Sequence, residues 1–360
     1  MPLNQIYRGR RAATIENDAV RVTVLVEGGH IAEVLDKQTG VNPLWTPPWP
    51  SIEPSTYDPI GHRDAYGGGA DAKLLAGIMG HTVCLDIFGG PSAEEAAAGV
   101  TAHGDAPVAP YEIAERNGLL MRAVLPSAQM RFERRIELQG RALRIHERVE
   151  SLCRFDRPVA WTEHVTLGPP FLEKGVTRFR ASATRSRVFE TDFGAADYLR
   201  RSAEFEWPNA PRPDGRTTDR RLFTCEPRSS AYTAHLMNGN GVTAFFVAFS
   251  PASKLAFGYL WNASDFPWMG IWEENCSRAA PPWNGQTIAC GMEFGVSPFP
   301  ETRRAMVDRG RLFGVPTYRW LPANRQIDAT YWIVLQRADD VPESLDPASV
   351  AAERAPVPRC

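Results

Sequence analysis

No stretch of this 360-residue chain holds the roughly eighteen consecutive apolar residues that a membrane-crossing helix needs. Met1 to Thr14 carries arginines with no apolar segment behind them, so it does not read as a secretory leader. A basic excess is also missing: 40 Lys+Arg stand against 42 Asp+Glu, a formal net charge of -2. That balance gives no electrostatic reason to expect nucleic acid, and a neutral small molecule suits it better than a polyanion. Close cysteine pairs are absent. Cys84, Cys153, Cys225, Cys276, Cys290 and Cys360 are scattered, with no CxxC and no Cys/His zinc spacing. A chain this long needs no disulfide staples, so they read as free thiols in a reducing cytoplasm. The glycine-rich stretch from Gly67-Gly68-Gly69 to Gly80-His81 lacks the strand–GxGxxG–helix setting of a dinucleotide fold, which excludes a nucleotide site there. Neither a solenoid repeat nor a separating linker is found, and a single domain over 1–360 is expected, with its core at about 15–340. The Pro-rich tail 342–360 is expected to lie loosely on the surface.

What the chain has in quantity is turn formers, 29 Gly and 30 Pro, and short runs of β-branched and aromatic residues between them. Val20, Val22 and Val24 alternate with Arg21, Thr23 and Leu25. Glu27-Gly28-Gly29-His30 then turns into Ile31 to Leu35, which reads as a hairpin. Further runs at 119–125, 130–138, 142–150, 159–167, 241–249, 255–261, 288–296 and 330–336 read as strands. Strand after strand with few helices argues an all-β protein of stacked antiparallel sheets. The helical exceptions are Ala93 to Ala98, capped by Pro91-Ser92, and Glu301 to Arg311. Thr184 to Arg228 is polar and Pro-punctuated, and reads as a long surface excursion.

Three segments could carry chemistry. His103 sits before Gly104 in a loop, free either to enter a cleft or to stay in solvent. In Trp161 to Leu167, alternation puts Thr162, His164 and Thr166 on one face, as a polar cleft floor or a solvated outer face. The same alternation places Glu163 among Trp161, Val165 and Leu167, where a carboxylate needs a partner. Glu293 is a single carboxylate in the apolar strand Cys290 to Val296; it either pairs with an arginine or opens into a site, with burial raising its pKa toward neutrality. The aromatic run Trp261, Phe266, Trp268, Trp272 and Trp283 offers core anchors or faces that stack on pyranose C–H groups. The spacing of His81, His103 and His164 matches no metal motif.

These residues in this order carry a resemblance. Asn17-Asp18, a strand, Gly28-Gly29, Ile31 to Asp36 and Thr39-Gly40 resemble the opening of aldose 1-epimerase-like proteins. His103-Gly104 is similar to that superfamily's first histidine signature, and Glu163-His164 through Gly168-Pro169-Pro170-Phe171-Leu172 to its second. Gly291-Met292-Glu293 stands where the family keeps a catalytic glutamate. The resemblance implies a galactose mutarotase-like β super-sandwich with a cleft on one sheet, acting on a small-molecule sugar without metal or organic cofactor. It implies Glu293 as general base on the anomeric hydroxyl, His164 as general acid on the ring oxygen, and His103 as a holder of the same atoms. The family's early Asn-Arg segment and central Asp-His motif are not found here. Arg63, His81 and Asp86 are the nearest stand-ins for the first, and Asp265 or Trp272-Glu273 for the second. A sugar-binding protein without catalysis, or another sugar reaction on the same fold, stays open beside the isomerase. A homodimer stays open too.

Overall fold

The computed structural model describes residues 5–238 and 243–351. The strand-forming runs pair into two large antiparallel sheets, one of twelve strands and one of eight. Five strands of the larger sheet build the region discussed below: β1 (His81–Asp86), β2 (Arg157–Leu167), β3 (Ser229–Met237), β4 (Trp268–Asn275) and β5 (Ile288–Gly295). They lie side by side in the order β1-β2-β5-β4-β3. Val83, Trp161, Val165, Met292 and Phe294 on the inward face of this sheet meet Phe257, Tyr259, Tyr331 and Ile333 of the smaller one in a shared core. Burying each such side chain is worth about 1.5–3 kcal/mol, so this interface is what holds the two layers together. Among the described residues, no helix is long and apolar enough to cross a membrane.

The hairpin is present as Val20–Leu25 paired with Ile31–Asp36. The expected helix forms at Ala93–Ala97, where Ser92 accepts from the Glu95 amide and Glu95 answers in a capping box. The second helix spans Arg303–Arg309 and starts from a Thr302 cap. Residues 241 and 242 of the expected strand 241–249 lie outside the described residues; the strand runs Thr243–Ser250.

Two expectations are corrected. The 184–228 stretch is not wholly an excursion, because Ala183–Val188 pairs with β3 and extends the larger sheet. Its burial comes from Ser186 and Val188, too few apolar residues to announce a strand. The chain after Pro342 is also tied down as far as residue 351. Leu345 and Val350 are buried against Val247, Phe249 and Val334 on the outer face of the smaller sheet, while residues 352–360 lie outside the described residues.

Glu163 falls on the core side of β2, as alternation requires, and its partners explain how a carboxylate survives there. His81 Nε2 at 2.9 Å, Arg134 Nη2 at 3.0 Å, the Tyr331 hydroxyl at 3.0 Å and Trp161 Nε1 at 3.0 Å all donate to it. Arg134 also donates to Glu147, whose carboxyl is pushed up to about 8 by burial. The Tyr331 hydroxyl lies between the two carboxyls, 2.8 Å from Glu147 and 3.0 Å from Glu163, so its one proton is shared between them. His81 is held neutral by burial and accepts from Tyr259 at 3.2 Å on its other nitrogen. Removing one member of such a buried set leaves an uncompensated charge. Glu163→Ala should therefore cost about 3–5 kcal/mol in urea unfolding. Glu150→Ala, which frees only the half-exposed Arg131, should cost under about 1 kcal/mol. Equal costs would contradict this account of the core.

Candidate active site

Every second residue of β2, β4 and β5 points away from that core, and register decides which ones meet. Thr82, His164, Glu293, Gly270 and Ala234 are successive cross-strand partners and form one row on the outward face of the larger sheet. Above this row lies a cavity of about 420 Å³. Its walls come from the short helix Ala72–Gly77, from Phe88 to Gly90, from the His103 loop and from Trp272, Arg278 and Trp283.

His164 and Glu293 are direct neighbours across the sheet, with Nε2 at 3.1 Å from Oε1. The other His164 nitrogen lies 3.2 Å from the Thr166 hydroxyl, which can donate or accept and so serves either tautomer. His103 enters from the side, its ring centroid 5.1 Å from that of His164. Its Nδ1 faces the Phe88 carbonyl, an acceptor only, so the proton sits on Nδ1 and Nε2 is left as an acceptor. The loop is fixed by two backbone bonds, His103 N–H to the Gly89 carbonyl at 3.1 Å and Leu85 N–H to the His103 carbonyl at 3.2 Å. Gly104 is needed here. Its φ is +80°, and a Cβ would stand 2.2 Å from the Leu85 carbonyl oxygen.

Burial sets the electrostatics. The Glu293 carboxyl is pushed up to about 8 by desolvation, with the Tyr232 hydroxyl drawing it partly back. His164 is pushed well below its usual value by burial and then by His103, and burial lowers His103 as well. At neutral pH the His164–Glu293 pair thus holds one proton on a carboxyl beside a neutral imidazole. Tyr232 lies over Gly270 because Gly270 has no side chain; a Cβ there would stand 1.9 Å from the Tyr232 oxygen.

Of the residues singled out in the sequence, His103, His164, Glu293, Trp272 and Trp283 come together at this cavity. The others do not. His81 points into the core network, one strand position out of phase with Thr82. Asp86 is occupied by Arg157 and by both terminal nitrogens of Arg303, at 2.8 and 2.7 Å, and so anchors the helix Arg303–Arg309. Glu273 lies on the opposite face of β4 from Trp272, bound to Arg220 at 2.6 Å and Ser229 at 2.5 Å. Asp265 is in the turn before β4, 3.9 Å from Arg319, and Arg63 is exposed at the start of a four-residue helix.

Arg278, Asp71 and Glu274 were not anticipated. The Arg278 guanidinium lies 4.7 Å from the Trp283 ring centre and 5.5 Å from that of Trp272, and it lines the cavity opposite Asp71. Buried Glu274 holds it in place, accepting from the Ser277 and Arg278 amides at 2.6 and 3.2 Å. Glu274 shares the outward face with Trp272, two residues away, the one sequence signal that could have pointed here.

No family model and no curated protein matches the sequence. Solved structures do match the fold. A candidate aldose 1-epimerase of Klebsiella pneumoniae superposes with a TM-score of 0.64 at 14% identity, over 97% of this chain and 84% of that one. A galactose mutarotase-like protein of Clostridium acetobutylicum gives 0.58 at 12% identity, over 92% and 97%. A galactose mutarotase related enzyme of Lactobacillus acidophilus gives 0.56 at 16% identity, over 92% and 99%. The fold is that of the galactose mutarotase-like proteins. On this fold the cavity, both histidines and Glu293 lie on the outward side of the larger sheet.

The raised Glu293 pKa has a consequence for stability. Between the usual 4.5 and about 8, the folded state keeps a proton that the unfolded chain has lost, so stability falls as pH rises through that window. Glu293→Gln removes this titration. Its stability relative to wild type should grow from pH 5 to pH 8.5, by at most about 1.4 kcal/mol per pH unit. A difference that stays flat in thermal or urea unfolding would show that Glu293 is not held protonated.

Proposed function

We propose that the protein is an isomerase that interconverts the anomers of a reducing sugar by general acid–base catalysis, without a cofactor. The observation that carries this reading is the contact between His164 and Glu293 at the cavity floor, with the free Nε2 of His103 beside it. A hemiacetal opens when one group takes the proton of the anomeric hydroxyl while another supplies a proton to the ring oxygen. Glu293 is assigned the first task and His164 the second. One proton serves both, because moving it from the Glu293 carboxyl to His164 turns the resting pair into a base and an acid side by side. After ring opening, rotation about the C1–C2 bond presents the other carbonyl face. Closure then returns the proton to each partner, and no oxidant, reductant or water is consumed. His103 Nε2, an acceptor, takes a hydrogen bond from a neighbouring hydroxyl of the sugar and orients the ring, leaving the anomeric proton to Glu293. The outward face of Trp272, whose ring lies 5.9 Å from that of His164, is suited to stack on the pyranose C–H face.

The pH dependence follows from the proton count. The active form carries one proton on the pair, so kcat/KM should fall above about pH 8 as Glu293 loses it. Exchange NMR between the anomers of a panel of hexoses, pentoses and uronates tests the reading. Wild type should accelerate exchange for at least one sugar, and Glu293→Gln should reduce that by roughly 10²–10⁴-fold with binding retained. Sugar binding without any acceleration would leave a carbohydrate-binding protein in place of the isomerase.

A further inference from the structure

Few side chains of the cavity can accept a hydrogen bond. If the pair serves the anomeric hydroxyl and ring oxygen and His103 one neighbouring hydroxyl, as proposed above, Asp71 is the one lining carboxylate left for the rest of the sugar. The remaining polar groups donate: Arg278, and Trp272 Nε1, which is buried with no partner. Several backbone carbonyls of the lining already accept one hydrogen bond, those of Phe88 and Gly89 from His103 and that of Ala70 from the Ala102 amide at 3.4 Å. Facing these groups is a wall of Leu74, Leu75 and Ile78, each under a tenth exposed. An ordinary hexopyranose brings about four further hydroxyls, and each is a donor that needs an acceptor once it leaves water. Leaving a buried hydroxyl unpaired costs about 1–3 kcal/mol.

Charge narrows the class further. Arg278 is the one cation of the lining, and it already faces Glu274 at 3.6 Å and Asp71 across the cavity. An anionic sugar would bring one more negative group to a cation that has two.

From this inventory we infer that the site takes an electrically neutral reducing sugar in which part of the ring carries hydrogen or alkyl where a common hexose carries hydroxyl: a deoxy or O-alkyl sugar. The apolar wall contacts the deoxygenated edge, Asp71 and Arg278 hold the remaining hydroxyls, and the anomeric carbon lies over His164 and Glu293. This assignment rests on the isomerase reading for the sugar's orientation, while its preference for apolar substituents is a property of the cavity alone.

The test pairs sugars that differ in one group: D-fucose with D-galactose, 6-deoxy-D-glucose, 2-deoxy-D-glucose and 3-O-methyl-D-glucose with D-glucose, and each parent with its uronate. For each, Kd is measured by calorimetry and kcat/KM by anomer-exchange NMR on the wild-type protein. At least one deoxy or O-methyl sugar should exceed its parent by about tenfold or more, within the range that one apolar group in a fitted pocket provides. Ile78→Thr, one heavy atom smaller and able to pair one hydroxyl, should shrink that ratio. Tighter binding of the modified sugar without acceleration would uphold this inference and refute the isomerase. Parents or uronates that bind as well or better in every pair, or no binding by any modified sugar, would overturn it. The wild-type comparison decides the matter even where Ile78→Thr fails to fold.

Discussion

The register of β2 against its neighbours is the constraint on which the rest of the molecule depends. Adjacent residues of a strand point to opposite faces, so the pair Glu163 and His164 splits between two environments. Glu163 goes inward to Arg134, His81 and Tyr331, and His164 goes outward to Glu293. A slip of one residue would exchange them, placing an unpaired imidazole in the core and the network's central carboxylate in the cavity. The interior ion network gives β2 an energetic reason to hold its position, since Glu163 has four donors in only one register.

That arrangement links stability to the candidate chemistry without any shared atom. Where it meets the smaller sheet, the inward face is apolar apart from the network and holds the two layers together. The outward face needs covering, and it is covered by loops and short helices that leave one gap over His164 and Glu293. Because Glu293 is buried at the floor of this gap, it is desolvated and keeps its proton near neutral pH, which is the condition for a proton to move within the pair. Small residues make room for this. Gly270 admits Tyr232, and at Gly291 a Cβ would stand 2.4 Å from Glu293 Oε1.

The fold was legible in the sequence where one strand face was buried and the other was not, as in Met130–Gln139 or Ala142–Ser151, whose alternation survives in their burial. β1, β3 and β4 were missed for the opposite reason. They are buried on both faces nearly throughout, as β2 and β5 are, so they show no period of two, and β3 lacks a bulky run, filling its place with Ser229, Ser230, Thr233 and Ala234. Trp272 of the cavity comes from these strands. His103, His164 and Glu293 could be picked out by residue type and order, yet nothing local separates His103 from His81. Only the pairing of His81 with Val165 shows that its ring turns inward. Arg278 and Asp71 reach the cavity from loops and helix starts set by distant contacts, which leave no pattern in the chain.

The central claim is that Glu293 rests as a neutral acid beside His164. Infrared difference spectroscopy of the carboxylic C=O stretch, titrated from pH 5 to pH 10 in wild type and Glu293→Gln, addresses it directly. Glu147 should contribute a band to both proteins, since its carboxyl is also pushed up to about 8. The account predicts a second band, present only in wild type, that disappears around pH 8. A wild type identical to Glu293→Gln down to pH 5 would mean that Glu293 is ionised throughout, and would contradict it.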